Sequence, residues 1–323
     1  MRRIAMIIGC ALLALLAAPA AAQTTAGRPI RLLVPFPPGS AGDVIARAVA
    51  PTAAEVAKQA IVIDNRGGAA GSIAAELAAK SAPDGQTLFF GTTGALAINP
   101  ALYAKLPYDP VRDYAPITLA ATSTYTIVVA PGLPVTTLKE YVAYARARPP
   151  GSLNLGSSGA GTSVHLSAEL FHSVIGVKTT HVPYKGASEA LTDLIAGRVH
   201  VMCASTSSAV PFVRGGRVKA LAITGTERDD ALPDVPTVLE TGVADYSSVG
   251  FFGVLAPLGT PGPIVQRLNT VFVTALKTPE VKQKFAALGV TPGWSTPEAF
   301  GERIRTEKGK WAKVAQAVGA RAD

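Results

Sequence analysis

The fold prediction depends on two glycine-rich segments, Val34-Pro35-Phe36-Pro37-Pro38-Gly39-Ser40-Ala41-Gly42-Asp43 and Leu155-Gly156-Ser157-Ser158-Gly159-Ala160-Gly161-Thr162-Ser163. Each segment follows an apolar run and precedes a pattern typical of a helix. Such a turn aims backbone N–H groups from a helix N-terminus, where the helix dipole favours a negative charge. Because the two turns lie about 120 residues apart, we expect them to bind one anion from two sides.

The rest of the chain alternates apolar runs with helical patterns, which predicts an α/β fold with largely parallel sheets. The predicted strands are residues 30–35, 60–64, 87–91, 117–120, 125–130, 153–156, 180–183, 199–203, 218–224 and 251–256. The predicted helices are residues 42–57, 69–80, 138–148, 162–175, 187–197, 261–277, 279–288 and 297–318. In each of the last two, a threonine precedes the first helical residue and the sequence reads Thr-Pro-Glu. This places Thr at the N-cap and Pro at the first helical position.

Two extended runs, residues 123–130 and 247–256, flank a middle region that has its own strand–helix units. Such a pair suits two strands that cross between two lobes. We therefore predict a discontinuous lobe 1 from residues 23–122 and 251–323, and a lobe 2 from residues 123–250. The turns beside these runs are short, which predicts a compact hinge.

The N-terminus predicts export. Arg2 and Arg3 precede an apolar stretch at residues 4–18, and Pro19-Ala20-Ala21-Ala22 supplies the small residues of a cleavage site. We expect residues 1–22 to be a signal peptide that is removed on export to the periplasm. The mature chain then keeps Cys203 alone, which excludes an intramolecular disulfide, and its apolar surroundings predict a buried thiol.

The formal net charge of +8 is spread along the chain, and only 6% of the residues are aromatic. The chain has no block of five basic residues, so nucleic-acid binding is not expected. Nucleotide hydrolysis is not expected either, because Thr162 stands where a P-loop needs lysine. The serine-rich loop lacks the nucleophile-elbow pattern, so we expect no enzyme activity.

Further candidates lie where strands end, since ligands of open α/β sheets sit beyond those ends. Thr92 and Thr93 follow the third strand, and Ser205 and Thr206 follow the strand at residues 199–203. Each pair could contact a ligand or form a polar turn. Asp43 could cap a helix or touch a ligand, and we favour the cap.

Two other features have simpler interpretations. His165, Glu169 and His172 share one helix face, but no fourth ligand is evident, so we predict polar residues on the helix surface and no metal site. Lys185 is interpreted as a solvated turn lysine. No cofactor is expected.

A set of ordered motifs resembles one family. The motifs are Pro35-Phe36-Pro37-Pro38-Gly39, Ile63-Asp64-Asn65-Arg66-Gly67-Gly68, Asn99-Pro100-Ala101-Leu102-Tyr103, His165-Leu166-Ser167-Ala168-Glu169-Leu170-Phe171, His181-Val182-Pro183-Tyr184-Lys185-Gly186 and Asp234-Val235-Pro236-Thr237. Together they resemble the substrate-binding proteins of tripartite tricarboxylate transporters, the TctC or Bug receptors. The resemblance implies a two-lobed periplasmic-binding-protein (Venus flytrap) fold with two crossover strands at the hinge.

The resemblance also implies that loop backbone groups, hydroxyls and bridging waters hold a ligand carboxylate. Carried over to this chain, the ligand-binding residues are Pro38, Gly39, Ser40, Thr92, Thr93, Ser157, Ser158, Gly161, Thr162, Ser205 and Thr206. The chain departs from the family at Gly67, where proline is common, and at Phe251, where tryptophan is usual. The family often has Asp-Asn after Val201-Met202, whereas this chain has Cys203-Ala204, which favours a carboxylate without an amino group.

The implied function is that of a monomeric periplasmic receptor, which delivers an organic acid to the membrane subunits of a transporter. Two alternatives remain open at this point. The receptor could report its ligand to a two-component sensor kinase, or the chain could be an exported enzyme.

Overall fold

The computed structural model describes residues 27–244 and 246–321, so the predicted signal peptide lies outside the described residues. The strands are β1 (Ile30–Val34), β2 (Ile61–Asn65), β3 (Thr87–Thr92), β4 (Tyr114–Val129), β5 (Asn154–Ser157), β6 (Thr180–Pro183), β7 (Val201–Ser205), β8 (Lys219–Ile223), β9 (Val249–Pro257) and β10 (Thr291–Pro292). The helices are α1 (Ala41–Ala57), α2 (Ser72–Ala79), α3 (Asn99–Leu102), α4 (Leu138–Arg146), α5 (Ser163–Val174), α6 (Ala187–Ile195), α7 (Thr206–Arg214), α8 (Val238–Thr241), α9 (Gly262–Lys277), α10 (Pro279–Ala287) and α11 (Pro297–Val318). In this part of the chain, no helix has the length and hydropathy to cross a membrane.

The strands form one continuous path in the order β2-β1-β3-β9-β4-β7-β5-β6, with β8 and β10 also paired to β4. β1 pairs in parallel with β2 and β3, and β5 pairs in parallel with β6 and β7. The residues of β4 from Tyr114 to Thr124 pair with β9, and those from Tyr125 to Val129 pair with β7. β4 therefore passes from one sheet into the other and β9 returns beside it, which gives an α/β fold of two lobes joined by two crossover strands.

Each lobe buries both faces of its sheet. In lobe 1, α1, α9 and α10 pack on one face, while α2 and α11 cover the other around Phe89, Phe251 and Phe300. In lobe 2, α4 and α5 cover one face, and α6 and α7 cover the other. A smaller cluster connects the lobes, because Leu166 of α5 packs with Trp311 of α11. The predicted lobe boundaries at 122/123 and 250/251 fall inside the paired part of β4 and β9 and stay a prediction.

The structure corrects several predicted elements. The strands expected at residues 117–120 and 125–130 form the single strand β4, because residues 121–124 pair with β9. The helix expected from residue 69 starts only at Ser72, after a 3₁₀ turn (Ala69–Gly71) in which Ala70 has φ 50°. The π-helical turn Gly94–Ile98, α3, α7 and α8 were not predicted. Both Thr-Pro-Glu starts are confirmed, with Thr278 and Thr296 capping α10 and α11.

Candidate functional site

The first loop, residues 35–40, connects β1 to α1 and ends in a capped helix. Ser40 is the N-cap, with φ −70° and ψ 162°, and its hydroxyl accepts a 3.4 Å hydrogen bond from the Asp43 amide. Gly39 has φ +80°, a region that favours glycine. Its amide donates to Asp43 Oδ2 at 2.8 Å. The Asp43 side chain therefore fixes the residue before the cap.

The Asp43 carboxylate is 2% exposed and lies at the centre of a hydrogen-bond network. It accepts from Arg47 Nε and from Asn65 Nδ2, both at 2.9 Å, and Asn65 also donates to the Phe36 carbonyl at 3.0 Å. Burial alone would raise the pKa of Asp43, but the hydrogen bonds from Arg47, Gly39 and Asn65 outweigh it and lower that pKa. From the first turn of α1, the carboxylate thus fixes the first loop just before the N-cap Ser40. This is the structural role that the sequence analysis favoured over ligand contact.

Replacing Asp43 with alanine is expected to destabilise the protein by about 2 kcal/mol, because it removes the buried acceptor of hydrogen bonds from Gly39, Arg47 and Asn65. Chemical denaturation at pH 7 would measure the loss of unfolding free energy. The control is Glu76→Ala, which breaks a more exposed ion pair with Lys80 and should change stability by less than about 1 kcal/mol. Equal effects of the two substitutions would contradict the role given to Asp43.

The second loop, residues 158–162, connects β5 to α5 and repeats the local arrangement of the first. Thr162 is the N-cap, with φ −70° and ψ 157°, and its hydroxyl accepts from the His165 amide at 3.4 Å. Gly161 has φ +73°, and its amide donates to His165 Nδ1 at 3.2 Å. The Thr162 hydroxyl also donates to the Gly159 carbonyl at 2.8 Å. A side chain in the first helical turn again fixes the glycine before the cap.

Both loops therefore share one pattern that the sequence analysis missed. The pattern is a glycine, a hydroxyl residue, two further residues and an acceptor side chain: Gly39, Ser40 and Asp43 in the first loop, and Gly161, Thr162 and His165 in the second. The first amides of an α-helix have no intrahelical acceptor. This leaves the amides of Ala41 and Gly42 in lobe 1, and of Ser163 and Val164 in lobe 2, as donors for an anion. The spacing Gly-(Ser/Thr)-x-x-(Asp/His) is the signal that could have identified it.

Other predicted site residues differ in how accessible they are. Pro38 and Gly39 are exposed at the tip of the first loop, and Ser158 is half-buried. Ser157 is fully buried, and its hydroxyl lies 2.7 Å from His181 Nε2 and accepts from the Gly159 amide at 3.1 Å. The Ser157 side chain therefore supports the second loop from within the lobe.

The threonines after β3 are engaged with the protein backbone. Thr93 is 3% exposed, and its hydroxyl accepts from the Phe251 amide at 2.7 Å. The Thr92 hydroxyl accepts from the Ala95 amide at 3.4 Å, and that side chain is also buried. In this conformation both hydroxyls stabilise the junction between β3, the π-helical turn and β9.

The residues after β7 differ from each other. Thr206 is fully buried in α7, and its hydroxyl lies 2.8 Å from the Thr124 hydroxyl and 3.0 Å from the Thr126 hydroxyl of β4. Ser205 is half-buried, with its hydroxyl 2.6 Å from that of Ser208. The structure thus leaves Ser205 accessible from outside and turns Thr206 towards the crossover strand.

The predicted surface position of the α5 histidines is wrong. His165 is 9% exposed and His172 is 1% exposed. The His172 ring bonds the Tyr141 hydroxyl through Nε2 at 2.7 Å and the Ala168 carbonyl through Nδ1 at 2.8 Å. Among residues 27–244 and 246–321, no group of three His, Cys, Asp or Glu residues could hold a metal ion. The shared helix face is therefore part of the protein interior.

Burial lowers the pKa of His172 to about 4, which makes stability depend on pH. The unfolded chain binds a proton near pH 6.5, whereas the folded chain binds it only near pH 4, so stability is lost as pH falls through this window. The loss is on the order of 3 kcal/mol. A His172→Gln variant should lose correspondingly less stability between pH 7 and pH 4, as measured by chemical denaturation. Parallel pH curves for both proteins would contradict this assignment.

The second loop also contacts lobe 1. A Cβ atom on Gly161 would lie 2.8 Å from Leu102 Cδ1 in α3. In addition, a Cβ atom on Gly289, in the connection between α10 and β10, would lie 3.1 Å from Ser207 of α7. The N-terminal ends of α5 and α7 therefore face elements of the other lobe.

Two further features lie away from these loops. Lys185 is exposed, as the sequence predicted for a turn lysine. A groove of about 390 Å³ beside Lys308 is lined by no residue of either loop.

Comparison with known proteins finds a family model and relatives that match most of the chain. Residues 45–320 match the family model described as "Tripartite tricarboxylate transporter family receptor". BugT of Bordetella pertussis is 36% identical over 307 residues, which are 95% of this chain and 94% of that protein.

Two solved structures are also similar. R. palustris Rpa4515 with adipate has a TM-score of 0.82 and 38% identity, covering 91% of this chain and 99% of that one. MatC from Rhodopseudomonas palustris with bound malate has a TM-score of 0.78 and 33% identity, covering 89% and 98%. These similarities confirm both the resemblance drawn from the motifs and the two-lobed fold class.

Proposed function

Because this chain belongs to the tripartite tricarboxylate transporter family of receptors, we propose that it captures a small organic acid in the periplasm and delivers it to a membrane transporter. It acts as a monomer, uses no cofactor and closes its two lobes on the ligand. The amides and hydroxyls of the first and second loops hold the carboxylate.

The repeated helix start in the two loops is the observation that carries this proposal. Each lobe offers two amides without intrahelical acceptors, at Ala41 and Gly42 and at Ser163 and Val164. The partial positive charge of each helix N-terminus adds to their attraction for an anion. A carboxylate can therefore be bound without a basic side chain.

Closure gives the binding its strength. One lobe takes the carboxylate first, and the other lobe then adds its amides while water is excluded. The effective dielectric falls, so each charge-assisted hydrogen bond becomes stronger. Leu102 of lobe 1 lies next to Gly161, 2.8 Å from where a Cβ atom would stand, so the second loop is close to the lobe that it would face in the closed receptor.

The ligand class follows from the ligands of two relatives and from the end of β7. Two relatives were solved with dicarboxylates, adipate and malate, and one carboxylate of such an acid would lie between the two helix N-termini. The Cys203-Ala204-Ser205-Thr206 run has no acidic side chain to neutralise an ammonium group. We therefore favour a dicarboxylate without an amino group.

A hydrolytic role has little support despite one suggestive contact. Ser157 Oγ and His181 Nε2 are 2.7 Å apart, as in a nucleophile–base pair. However, Ser157 is fully buried, so its hydroxyl has no access to a substrate. The pair serves the second loop, and the proposed receptor releases its ligand unchanged.

A thermal-shift screen tests the proposal. Mature protein, refolded to remove any carried-over ligand, is heated with mono-, di- and tricarboxylates, aromatic acids and amino acids. A ligand at 100 times its dissociation constant should add about 2.7 kcal/mol of stability, which corresponds to a shift of several degrees. We expect the shift with one class of carboxylate. No shift with any carboxylate, in protein that circular dichroism shows to be folded, would contradict the proposal.

A further inference from the structure

His165 and His181 form a stacked pair directly behind the second loop. Their ring centroids lie 3.7 Å apart, with an angle of 18° between the ring planes. His165 belongs to the first turn of α5, and His181 lies in β6, the strand beside β5. The two rings therefore join the helix start to the neighbouring strand.

The contacts of His165 determine where its proton lies. Nδ1 accepts the Gly161 amide at 3.2 Å, and an imidazole nitrogen that accepts a hydrogen bond carries no proton. The proton of the uncharged ring is then on Nε2, which faces Glu169 Oε1 at 3.7 Å. Nδ1 is thus the acceptor that holds the Gly161 amide.

His181 supports the opposite end of the same loop. Its Nε2 lies 2.7 Å from Ser157 Oγ, and that hydroxyl accepts from the Gly159 amide. Between them, the stacked rings reach both ends of the segment from Ser157 to Gly161. The position of that segment sets where the Ser163 and Val164 amides point.

Burial lowers the pKa of His181 to about 4, so this ring is uncharged at neutral pH. Burial would raise the pKa of the nearby Glu169, but its interactions with the three histidines lower it. From α4, Tyr141 faces the cluster through its bond to His172.

We propose that His165, held by stacking on His181, is the positioning residue of the second loop: its Nδ1 accepts the Gly161 amide and so keeps the loop in the geometry in which its helix amides face the ligand. This inference rests on the proposed function, to which it adds the residue that positions the second loop.

Three variants test the proposal. His165→Phe keeps a flat ring but offers no acceptor to Gly161, whereas His165→Asn offers the oxygen of its side-chain amide. The control is His200→Gln, since His200 Nδ1 accepts the Asn154 amide at the other end of β5. The ¹⁵N NMR spectrum of the ligand-free protein reports the His165 tautomer and the Gly161 amide, and calorimetry with adipate as the probe reports affinity.

We expect the wild-type His165 ring to carry its proton on Nε2 at pH 7, and the Gly161 amide resonance to move in His165→Phe. Adipate affinity should fall by about 10-fold in His165→Phe, as for the loss of one orienting hydrogen bond. It should be restored in His165→Asn and unchanged in His200→Gln.

A proton on Nδ1 at pH 7, or a Gly161 resonance that is the same in wild type and His165→Phe, would overturn the inference. Equal adipate affinities of wild type and His165→Phe at pH 7 would overturn it as well. The NMR measurements need no ligand, so they decide the inference even if adipate fails to bind the wild type. That failure would instead count against adipate as a ligand and weaken the proposed function.

Discussion

Replacing Gly253 with alanine is expected to destabilise the protein by about 3 kcal/mol, as for severe overpacking of a core. Gly253 lies in β9, and a Cβ atom there would lie 2.1 Å from Phe300 Cζ and within 2.8 Å of two further ring atoms. Phe300 is fully buried in α11, so moving its ring would disturb the side chains packed around it. Chemical denaturation measures the change in unfolding free energy.

A double substitution makes this prediction specific. Phe300→Ala alone should cost about 4 kcal/mol, but it also makes room for the alanine Cβ at position 253. The double variant should therefore lose less stability than the sum of the single variants. Gly309→Ala in the same helix is the control, since a Cβ there meets nothing within 4 Å and alanine favours the helix. Strict additivity would contradict the packing of β9 against α11.

The second large effect concerns ligand affinity. Replacing Gly161 with valine is expected to weaken binding at least about 100-fold, because displacing the second loop costs two charge-assisted hydrogen bonds. Gly161 has φ +73°, which valine tolerates poorly, and its Cβ would meet Leu102. Calorimetric titration with the acid from the thermal-shift screen measures the loss, and circular dichroism shows whether the variant is folded.

Gly176 provides the matched control for this substitution. It follows the other end of α5 with φ +68°, and a Cβ there meets nothing within 4 Å. Gly176→Val should introduce a comparable backbone strain and leave ligand affinity unchanged. Gly39→Val tests the first loop in the same way, because Gly39 has φ +80° but open space around it. Unchanged affinity in both loop variants would remove these loops from the site.

Local sequence chemistry predicted much of the fold. Apolar runs bounded by glycine and proline located most strands within one or two residues, and the Thr-Pro-Glu starts of α10 and α11 were correct. β4 was divided in error because the polar residues Thr122-Ser123-Thr124 interrupt the apolar pattern of its two halves. Its pairing with β9 comes from residues more than 120 positions later.

The site was harder to predict, because its partners are distant in the chain. Thr206 was expected to face a ligand, but its hydroxyl meets Thr124 and Thr126, about 80 residues earlier. His172 was expected on the surface, but Tyr141 of α4 covers it. The repeated pattern of glycine, hydroxyl residue and acceptor is local, in contrast, and could have been recognised from the spacing alone.

The measurement that tests the central claim most directly is a calorimetric titration of refolded protein with the acid that gives the largest thermal shift and with the neutral amide of that acid. The account predicts one binding site for the acid and an affinity at least about 100-fold lower for the amide, because charge-assisted hydrogen bonds to the loop amides are lost. An amide that binds as tightly as the acid would contradict the claim that the two loops recognise a carboxylate.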